Sequence, residues 1–405
     1  MRAKKVLLPE GVQDLLINDC RYRRHIEEKL MECFIQAGYM EVSSPTLEYY
    51  DLFSSDYLSF KRNKMFKLID TDGEILVLRP DGTVPIVRMV STKMKNFVYP
   101  LKLCYVENVF RIDEEQAGKK REFRQAGVEL FGIPSHKGDA EVIITAIESL
   151  KNLGLQNFQI ELGQAKLLRD ILQRLNIDYE DKQDIGRYIE EKNFIELDRL
   201  VESLDIEIDV KEVLKALPRL FGQAEEVFAD VKALPLKPYM LEAIEDLERV
   251  WQMVDDYGFG KYITLDLGMF TMMKYYSGII FKGFTKDLGV VLLSGGRYDG
   301  MMKDFGMDIP ATGFVFIVNK ITKALKIQEK LMLKKKNHIL LIQDNKRTWK
   351  REIVEGLRKK GNIVELCLLE DRHEILEYIK RRQIDEVFRM DQKGEIEIIE
   401  DWGEI

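Results

Sequence analysis

Cysteine, histidine and tryptophan are scarce in this chain, whose 405 residues contain 4 Cys, 4 His and 3 Trp. Cys20, Cys33, Cys104 and Cys367 show no C-x-x-C spacing, and His25, His136, His338 and His373 do not cluster near them. That pattern excludes a disulfide framework and a structural zinc site as sequence readings, so no metal is expected. Long hydrophobic runs are also missing: nowhere is there the stretch of about 18 apolar residues that a membrane-spanning helix needs. The start of the chain lacks the basic, apolar and small-residue segments of a secretory leader, and a cytoplasmic location is expected. Positive charge is not in excess either. The formal net charge is -7, so a nucleic-acid partner would need a local basic patch working against the overall field. The short basic runs at 21–24 and 334–336 read as solvated faces or linker, and tRNA is not expected as a partner.

What is present is a globular composition, 45% hydrophobic and 32% charged, on a chain long enough for two or three packed domains. Residues 19–37 carry Ile26, Leu30, Cys33 and Phe34 at helical spacing, and the stripe ends at Gly38, so an opening amphipathic helix is predicted. YMEVSSPTLEYYDLF then reads as extended, with Pro45 limiting the strand. KMFKLIDTDGEILVLRPDGT reads as a hairpin turning at Asp72-Gly73. Residues 138–155 are expected to be helical, 157–162 extended, and 164 to about 255 mostly helical with few chemically suggestive groups. Strands return from 262 (YITLDLG, YYSGIIFKGF, LGVVLLSGG), with a helix expected around 313–326. The basic, Gly-free segment ALKIQEKLMLKKKN leads into 338–405, where strands and helices alternate. There are no internal repeats or low-complexity tracts.

One stretch concentrates chemistry: FRIDEEQAGKKREFRQAGVELFG at 110–132. Strand residues two apart share a face, so Phe123, Gln125, Gly127, Glu129 and Phe131 point one way and Ala126, Val128 and Leu130 the other. The small aliphatic face is expected to pack on helices. The opposite face sets an amide and a carboxylate on either side of a glycine, and a glycine within a strand marks close approach by a ligand or another backbone. On the preceding strand the same parity places Glu107 and Arg111 on one face, and the loop carries Lys119, Lys120 and Arg121. These cations suit a phosphate clamp, and a solvent-facing strand with ordinary charges is the alternative.

At these residues the sequence resembles class II aminoacyl-tRNA synthetases, and within them the histidyl-tRNA synthetase family. LPEGVQDLL at 8–16 resembles that family's N-terminal signature, and GYMEVSSPTLE its motif 1 dimer strand. LRPDGT at 78–83 resembles its amino-acid loop, and 110–132 its motif 2. SGGRYDGMMKDFG followed by PATGFVF resembles its second histidine signature running into motif 3. The resemblance implies an α+β fold: an antiparallel sheet flanked by helices over 1–326, with a helical insert at about 165–255. It further implies a linker at 327–337 and a shortened anticodon-binding-like α/β domain at 338–405. Carried over by position, Asp81, Thr83 and Gln125 match the residues that hold an α-amino group, with Asp81 where the synthetases usually have Glu. Glu129 and Tyr276 match the imidazole contacts, Tyr298 the pocket wall, and Arg111 the motif 2 arginine. A carboxylate and a phenol suit the two ring nitrogens of histidine, and acceptors suit an ammonium. Tyr275 reads equally as core or as pocket, because neighbours on a strand face opposite ways and only one of the pair can meet the ligand.

The departures from the family pattern are as informative as the matches. The first histidine signature, close to LVRGLDYY in synthetases, reads MFTMMKYY at 269–276 here. Thr271 stands at the arginine position and Lys274 at the acidic one. A hydroxyl cannot supply a fixed bidentate charge to carboxylate and phosphate, a loss on the order of several kcal/mol at the transition state. Motif 3, close to GFAMGLERL, reads GFVFIVNKI at 313–321. Lys320 replaces an arginine that stacks on ATP, keeping charge but losing the planar fork. Ile317 replaces a glycine where backbone must approach a nucleotide.

A synthetase scaffold that keeps an amino-acid pocket and loses ATP chemistry resembles a paralogous family, the regulatory subunits of ATP phosphoribosyltransferase. That resemblance implies a subunit without aminoacylation activity or cofactor, binding histidine as a feedback ligand at the first step of histidine biosynthesis. It also implies a homodimer within a hetero-oligomer, partnered with a short-form ATP phosphoribosyltransferase catalytic subunit. Two alternatives stay open on the sequence: a divergent histidyl-tRNA synthetase, and a stand-alone sensor of histidine or uncharged tRNA.

Overall fold

A computed structural model describes residues 7–54, 62–112, 120–269, 275–331, 333, 335–343, 350–391 and 395–400. The chain divides into two compact units, Met1–Leu331 and Met332–Ile405. The first begins with helix α1 (Ile17–Gln36), strands β1 (Met40–Glu41), β2 (Leu47–Tyr49), β3 (Lys67–Ile69) and β4 (Ile75–Leu78), and helix α2 (Thr83–Lys93). The long hairpin β5 (Leu101–Phe110) and β6 (Glu122–Phe131) follows, then α3 (His136–Asn152) and β7 (Phe158–Gln164). Next come six helices: α4 (Ala165–Arg174), α5 (Tyr179–Glu190), α6 (Phe194–Ser203), α7 (Ile208–Ala216), α8 (Ala224–Lys232) and α9 (Pro238–Asp256). They are interrupted by the two-residue β8 (Phe221–Gly222). The unit closes with β9 (Ile263–Asp266), β10 (Ile279–Thr285), β11 (Val291–Arg297), α10 (Asp299–Asp304), β12 (Ala311–Ile317) and α11 (Val318–Ile327).

Nine strands form one sheet in the order β1-β5-β6-β12-β11-β10-β7-β9-β8. The run from β5 to β7 is antiparallel throughout. Toward its edges β1 pairs with β5 and β7 with β9 in parallel, so the sheet is mixed rather than wholly antiparallel. Each parallel pair is separated in sequence by helices, the crossover that parallel pairing requires.

Side-chain alternation divides the core. Ala126, Val128 and Leu130 of β6 join Ile26, Leu30 and Phe34 of α1 and the buried face of α3. Phe131, with Leu101, Leu103 and Tyr105 of β5, faces a second cluster that includes α2. The β3–β4 turn contains Gly73 at φ +85°, in the left-handed region that glycine enters without a Cβ penalty.

The helix expected at 313–326 is a correction. Residues 311–317 are β12, beside β6, and only Val318–Ile327 is helical. TGFVFIV is apolar on both faces, with Phe314 and Phe316 packed toward the helices and the half-buried Val315 and Ile317 on the other side. Such a continuous apolar run carries no period by which to tell strand from helix.

The second unit contains β13 (His338–Gln343), α12 (Arg351–Lys359), β14 (Ile363–Leu366), α13 (Arg372–Arg382), β15 (Glu386–Met390) and β16 (Ile396–Ile398). Its sheet runs β14-β13-β15-β16, parallel except for the last pair. Val354 and Leu357 of α12 pack in one apolar cluster and Ile375 and Ile379 of α13 in another. Among the described residues no helix is long and apolar enough to cross a membrane.

Candidate ligand-binding site

The first unit contains a cavity of about 1200 Å³ whose wall includes Asp81, Thr83, Arg111, Gln125, Glu129, Tyr276 and Tyr298. Seven residues spread over more than 200 positions thus meet at one place. Ile317 and Lys320 line it as well. Thr271 and Lys274 lie outside the described residues.

Glu129 lies near the C-terminal end of β6 and is 1% exposed. Its Oε2 accepts a hydrogen bond from the Tyr298 hydroxyl, and its Oε1 accepts one from the Tyr105 hydroxyl at 3.3 Å. Across the ladder Glu129 faces Gly313, where a Cβ would run into the carboxylate. Burial pushes the Glu129 carboxyl up to about 8, against the opposing hydrogen bonds from Tyr298, Thr83 and Tyr105. Burial thus favours the neutral acid, and a ligand base or cation facing it favours the carboxylate.

Gln125, 2% exposed, accepts from the Gly82 amide at 3.2 Å, which fixes the direction of its carboxamide. Asp81 has two tasks. Its Oδ1 accepts from the Thr83 and Val84 amides, at 2.8 and 3.2 Å, at the start of α2, satisfying two of the donors a helix N-terminus leaves open. Its Oδ2 takes the Arg111 guanidinium at 3.2 Å, and Arg111 Nε also donates to the Pro80 carbonyl at 2.6 Å. The motif 2-like arginine is thereby tied to the amino-acid loop.

Tyr275 and Tyr276 both line the cavity, where strand alternation would admit one. They lie in a turn rather than a strand, so alternation does not apply. Their ring centroids are 4.5 Å apart at an interplanar angle of 43°. The ring of Tyr276 occupies the space beside Gly296, where a Cβ would lie 2.8 Å from Cε1. Burial raises the Tyr276 phenol to about 12.

The expected phosphate clamp is dispersed. Arg121 pairs with Glu10 at 3.1 Å, Lys120 lines the cavity, and Lys119 lies outside the described residues. Glu107, placed by parity on the face of Arg111, is instead held by the Ser44 amide at 2.5 Å and by Arg79 at 2.8 Å.

Sequence reasoning missed Tyr105. Its ring fills the space above both Gly82 and Gly127, and its hydroxyl lies 3.4 Å from Thr83 Oγ1. The signal was available in the register, which sets Tyr105 opposite Gly127. The glycine does mark a close approach, by the Tyr105 phenol and by the Phe314 carbonyl. Arg169 and Glu190, both in the helical insert, were also missed: Glu190 lines the cavity, and Arg169 donates to the Tyr276 carbonyl at 3.0 Å. No periodicity in the insert distinguishes these charges from solvated ones.

Residues 11–321 match the histidyl-tRNA synthetase sequence family. Over 398 residues, 97% of this chain and 100% of the relative, the sequence is 51% identical to an ATP phosphoribosyltransferase regulatory subunit from Alkaliphilus metalliredigens. This chain belongs to the family of ATP phosphoribosyltransferase regulatory subunits. Another ATP phosphoribosyltransferase regulatory subunit, from Clostridium novyi, is 40% identical over 97% of the chain and 94% of its own length. Among solved structures, an ATP phosphoribosyltransferase regulatory subunit/histidyl-tRNA synthetase from Bacillus halodurans superposes with a TM-score of 0.84 at 29% identity, covering 95% of this chain and 98% of that one. Histidyl-tRNA synthetase from Nostoc, at 18% identity and TM-score 0.76 over 97% and 96% of the two chains, shares the fold. The regulatory subunits therefore stand on a synthetase scaffold, and the site must be judged by the side chains it has kept.

Proposed function

We propose that this chain acts in ATP phosphoribosyltransferase as a subunit without aminoacylation chemistry of its own, and that its cavity receives histidine. Membership of the regulatory-subunit family supports the first part, and the contrast between the two halves of the cavity supports the second. On the amino-acid side, Glu129 is set between two phenols and Gln125 is oriented by a backbone amide. On the nucleotide side stand Ile317 and Lys320, where the resemblance calls for a glycine and an arginine. That contrast carries the reading.

In this account the Glu129 carboxyl and the Tyr276 phenol meet the two imidazole nitrogens. Asp81, Thr83 and Gln125 face the ammonium, and Arg111 meets the carboxylate, each charge-assisted. Histidine regulates by linkage: it binds one state of the complex better than the other, and a coupling of about 1 to 3 kcal/mol shifts the equilibrium between the states about 5- to 150-fold. The partner is a separate, short-form catalytic subunit, encountered in the cytoplasm. Met40, Leu47 and Tyr49 in the motif 1 region are exposed, which fits burial against a second copy in a homodimer.

The reading is tested with the purified full chain. Isothermal titration should detect histidine binding that Glu129→Ala abolishes, and histidine-dependent ATP–pyrophosphate exchange should be absent. Exchange at a synthetase-like rate would instead identify a divergent histidyl-tRNA synthetase.

A further inference from the structure

The turn that carries Tyr275 and Tyr276 is held by the helical insert. Three successive carbonyls, beginning with that of Tyr276, are gripped from one helix, α4. Arg169 donates through Nη1 to the Tyr276 carbonyl at 3.0 Å and through Nη2 to the Ser277 carbonyl at 3.2 Å. The amide of Ala165, at the start of the same helix, donates to the Gly278 carbonyl at 2.9 Å. Ala165, Met269 and Ile280 form a small apolar cluster against which Tyr276 packs. On its other side the turn is fastened next to Tyr298: the Asp299 amide donates to Ser277 Oγ at 3.0 Å, and the Ser277 amide to the Arg297 carbonyl at 2.8 Å. One tyrosine turn thus bridges the insert and the wall residue that holds Glu129.

A guanidinium suits this task because its fork presents two donors in fixed geometry to two neighbouring acceptors, which an ammonium cannot do. Helix α4 is itself anchored: Leu167, Leu168, Ile171 and Leu172 are buried in the main core, and Gln164 just before it donates to the Ala243 carbonyl of α9 at 3.1 Å. The turn is therefore tied to packed helices rather than to a loose loop. The insert meets the cavity a second time, through Glu190 of α5 on its wall.

We propose that Arg169 is a positioning residue: it sets the Tyr275–Tyr276 turn at the cavity and couples cavity occupancy to the helical insert. The proposal deepens the histidine reading and rests on it for the identity of the ligand. Ligand contact with Tyr276 draws the turn toward Glu129, and Arg169 carries that displacement into α4. The insert is then the element whose pose differs between occupied and empty states.

Hydrogen–deuterium exchange on the full-length chain, with and without histidine, tests this together with isothermal titration for wild type, Arg169→Ala and Arg169→Lys. In the wild type, histidine should slow exchange both in 275–285 and in 165–174. In Arg169→Ala the dissociation constant should rise at least fivefold, and protection of 165–174 should vanish while weaker protection of 275–285 persists. Arg169→Lys should fall between the two, a graded result that simple loss of folding does not produce. Wild-type affinity together with undiminished protection of 165–174 in Arg169→Ala would overturn the coupling. If the wild type binds no histidine, the histidine reading fails, and exchange of the unliganded proteins decides the positioning role. Faster exchange around 275–278 in Arg169→Ala supports it, and an unchanged rate refutes it.

Discussion

The ring of Tyr105 occupies the space that a side chain at Gly127 would need: a Cβ there would lie 2.7 Å from the phenol oxygen and 2.9 Å from the Phe314 carbonyl. One neighbour is a fully buried ring and the other is backbone, so neither can yield cheaply. Gly127→Ala should cost about 1 to 3 kcal/mol of stability, the usual cost of overpacking, and should weaken ligand binding by pushing Tyr105 off Glu129 and Thr83. Urea denaturation and titration check the two effects. Gly356→Ala serves as a control, because that helical glycine has open space around it, and should be neutral or stabilising by up to about 1 kcal/mol.

Glu129 gives a pH dependence of known sign. Its carboxyl is raised by burial to about 8 from an ordinary 4.5, so the folded state binds more protons than the unfolded between those values. Its stabilising contribution is full below the unfolded value and is lost as pH rises through about 8, an effect on the order of a few kcal/mol. Glu129→Gln should remove this part of the decline, so the variant gains on wild type between about pH 5 and about pH 9. Unfolding midpoints measured across that range decide it.

Histidine affinity should follow a plateau. The complex holds one proton between Glu129 and an imidazole whose free value is about 6.5. Below about 6.5 both free partners are protonated and one proton must leave; above about 8 neither is protonated and one must be taken up. Affinity should therefore be flat between these values and fall on both sides, approaching tenfold per unit. Calorimetry over pH tests this, and a maximum elsewhere would point to another partner for the imidazole.

Asp81 joins a helix cap to a charge pair, and two variants separate these roles. Asp81→Ala should cost about 1 kcal/mol or more through the Thr83 and Val84 amides. Asp81→Asn keeps an oxygen for the cap but replaces the Oδ2 that accepts from Arg111 with an NH2 that cannot accept, so the charge and the hydrogen bond to Arg111 are both lost. Stability should be near wild type in the second, with ligand affinity lowered in both.

The Arg79–Glu107 pair is structural. Both side chains are almost fully buried, and Arg79 also bonds the Asn108 carbonyl at 2.8 Å and the Ser44 carbonyl at 2.7 Å. Glu107→Ala leaves a buried guanidinium unpaired and should destabilise by about 3 to 5 kcal/mol, seen in urea denaturation.

Where a face or a turn decides a structure, the sequence was readable. The α1 stripe, the Asp72-Gly73 turn and the split of β6 into an aliphatic and a polar face all appear in the fold, because one side of each element is covered differently from the other. The β12 segment was misread because both of its sides carry apolar residues, which erases the period. The positions of the seven pocket residues came from family resemblance, since no local pattern brings Asp81 to Tyr298. Tyr105 and Arg169 escaped for a related reason. One is an aromatic residue in an apolar strand and the other a charge on an amphipathic helix, and only pairing register and tertiary contact reveal what each touches.

Phosphoribosyl transfer by a short-form ATP phosphoribosyltransferase catalytic subunit, measured alone and with this chain across a histidine titration, tests the regulatory role and the ligand together. The chain should raise activity, histidine should suppress the complex, and Glu129→Ala should keep the activation while losing at least tenfold in histidine sensitivity. Activation absent, or histidine inhibition unchanged in the Glu129→Ala complex, would contradict this reading.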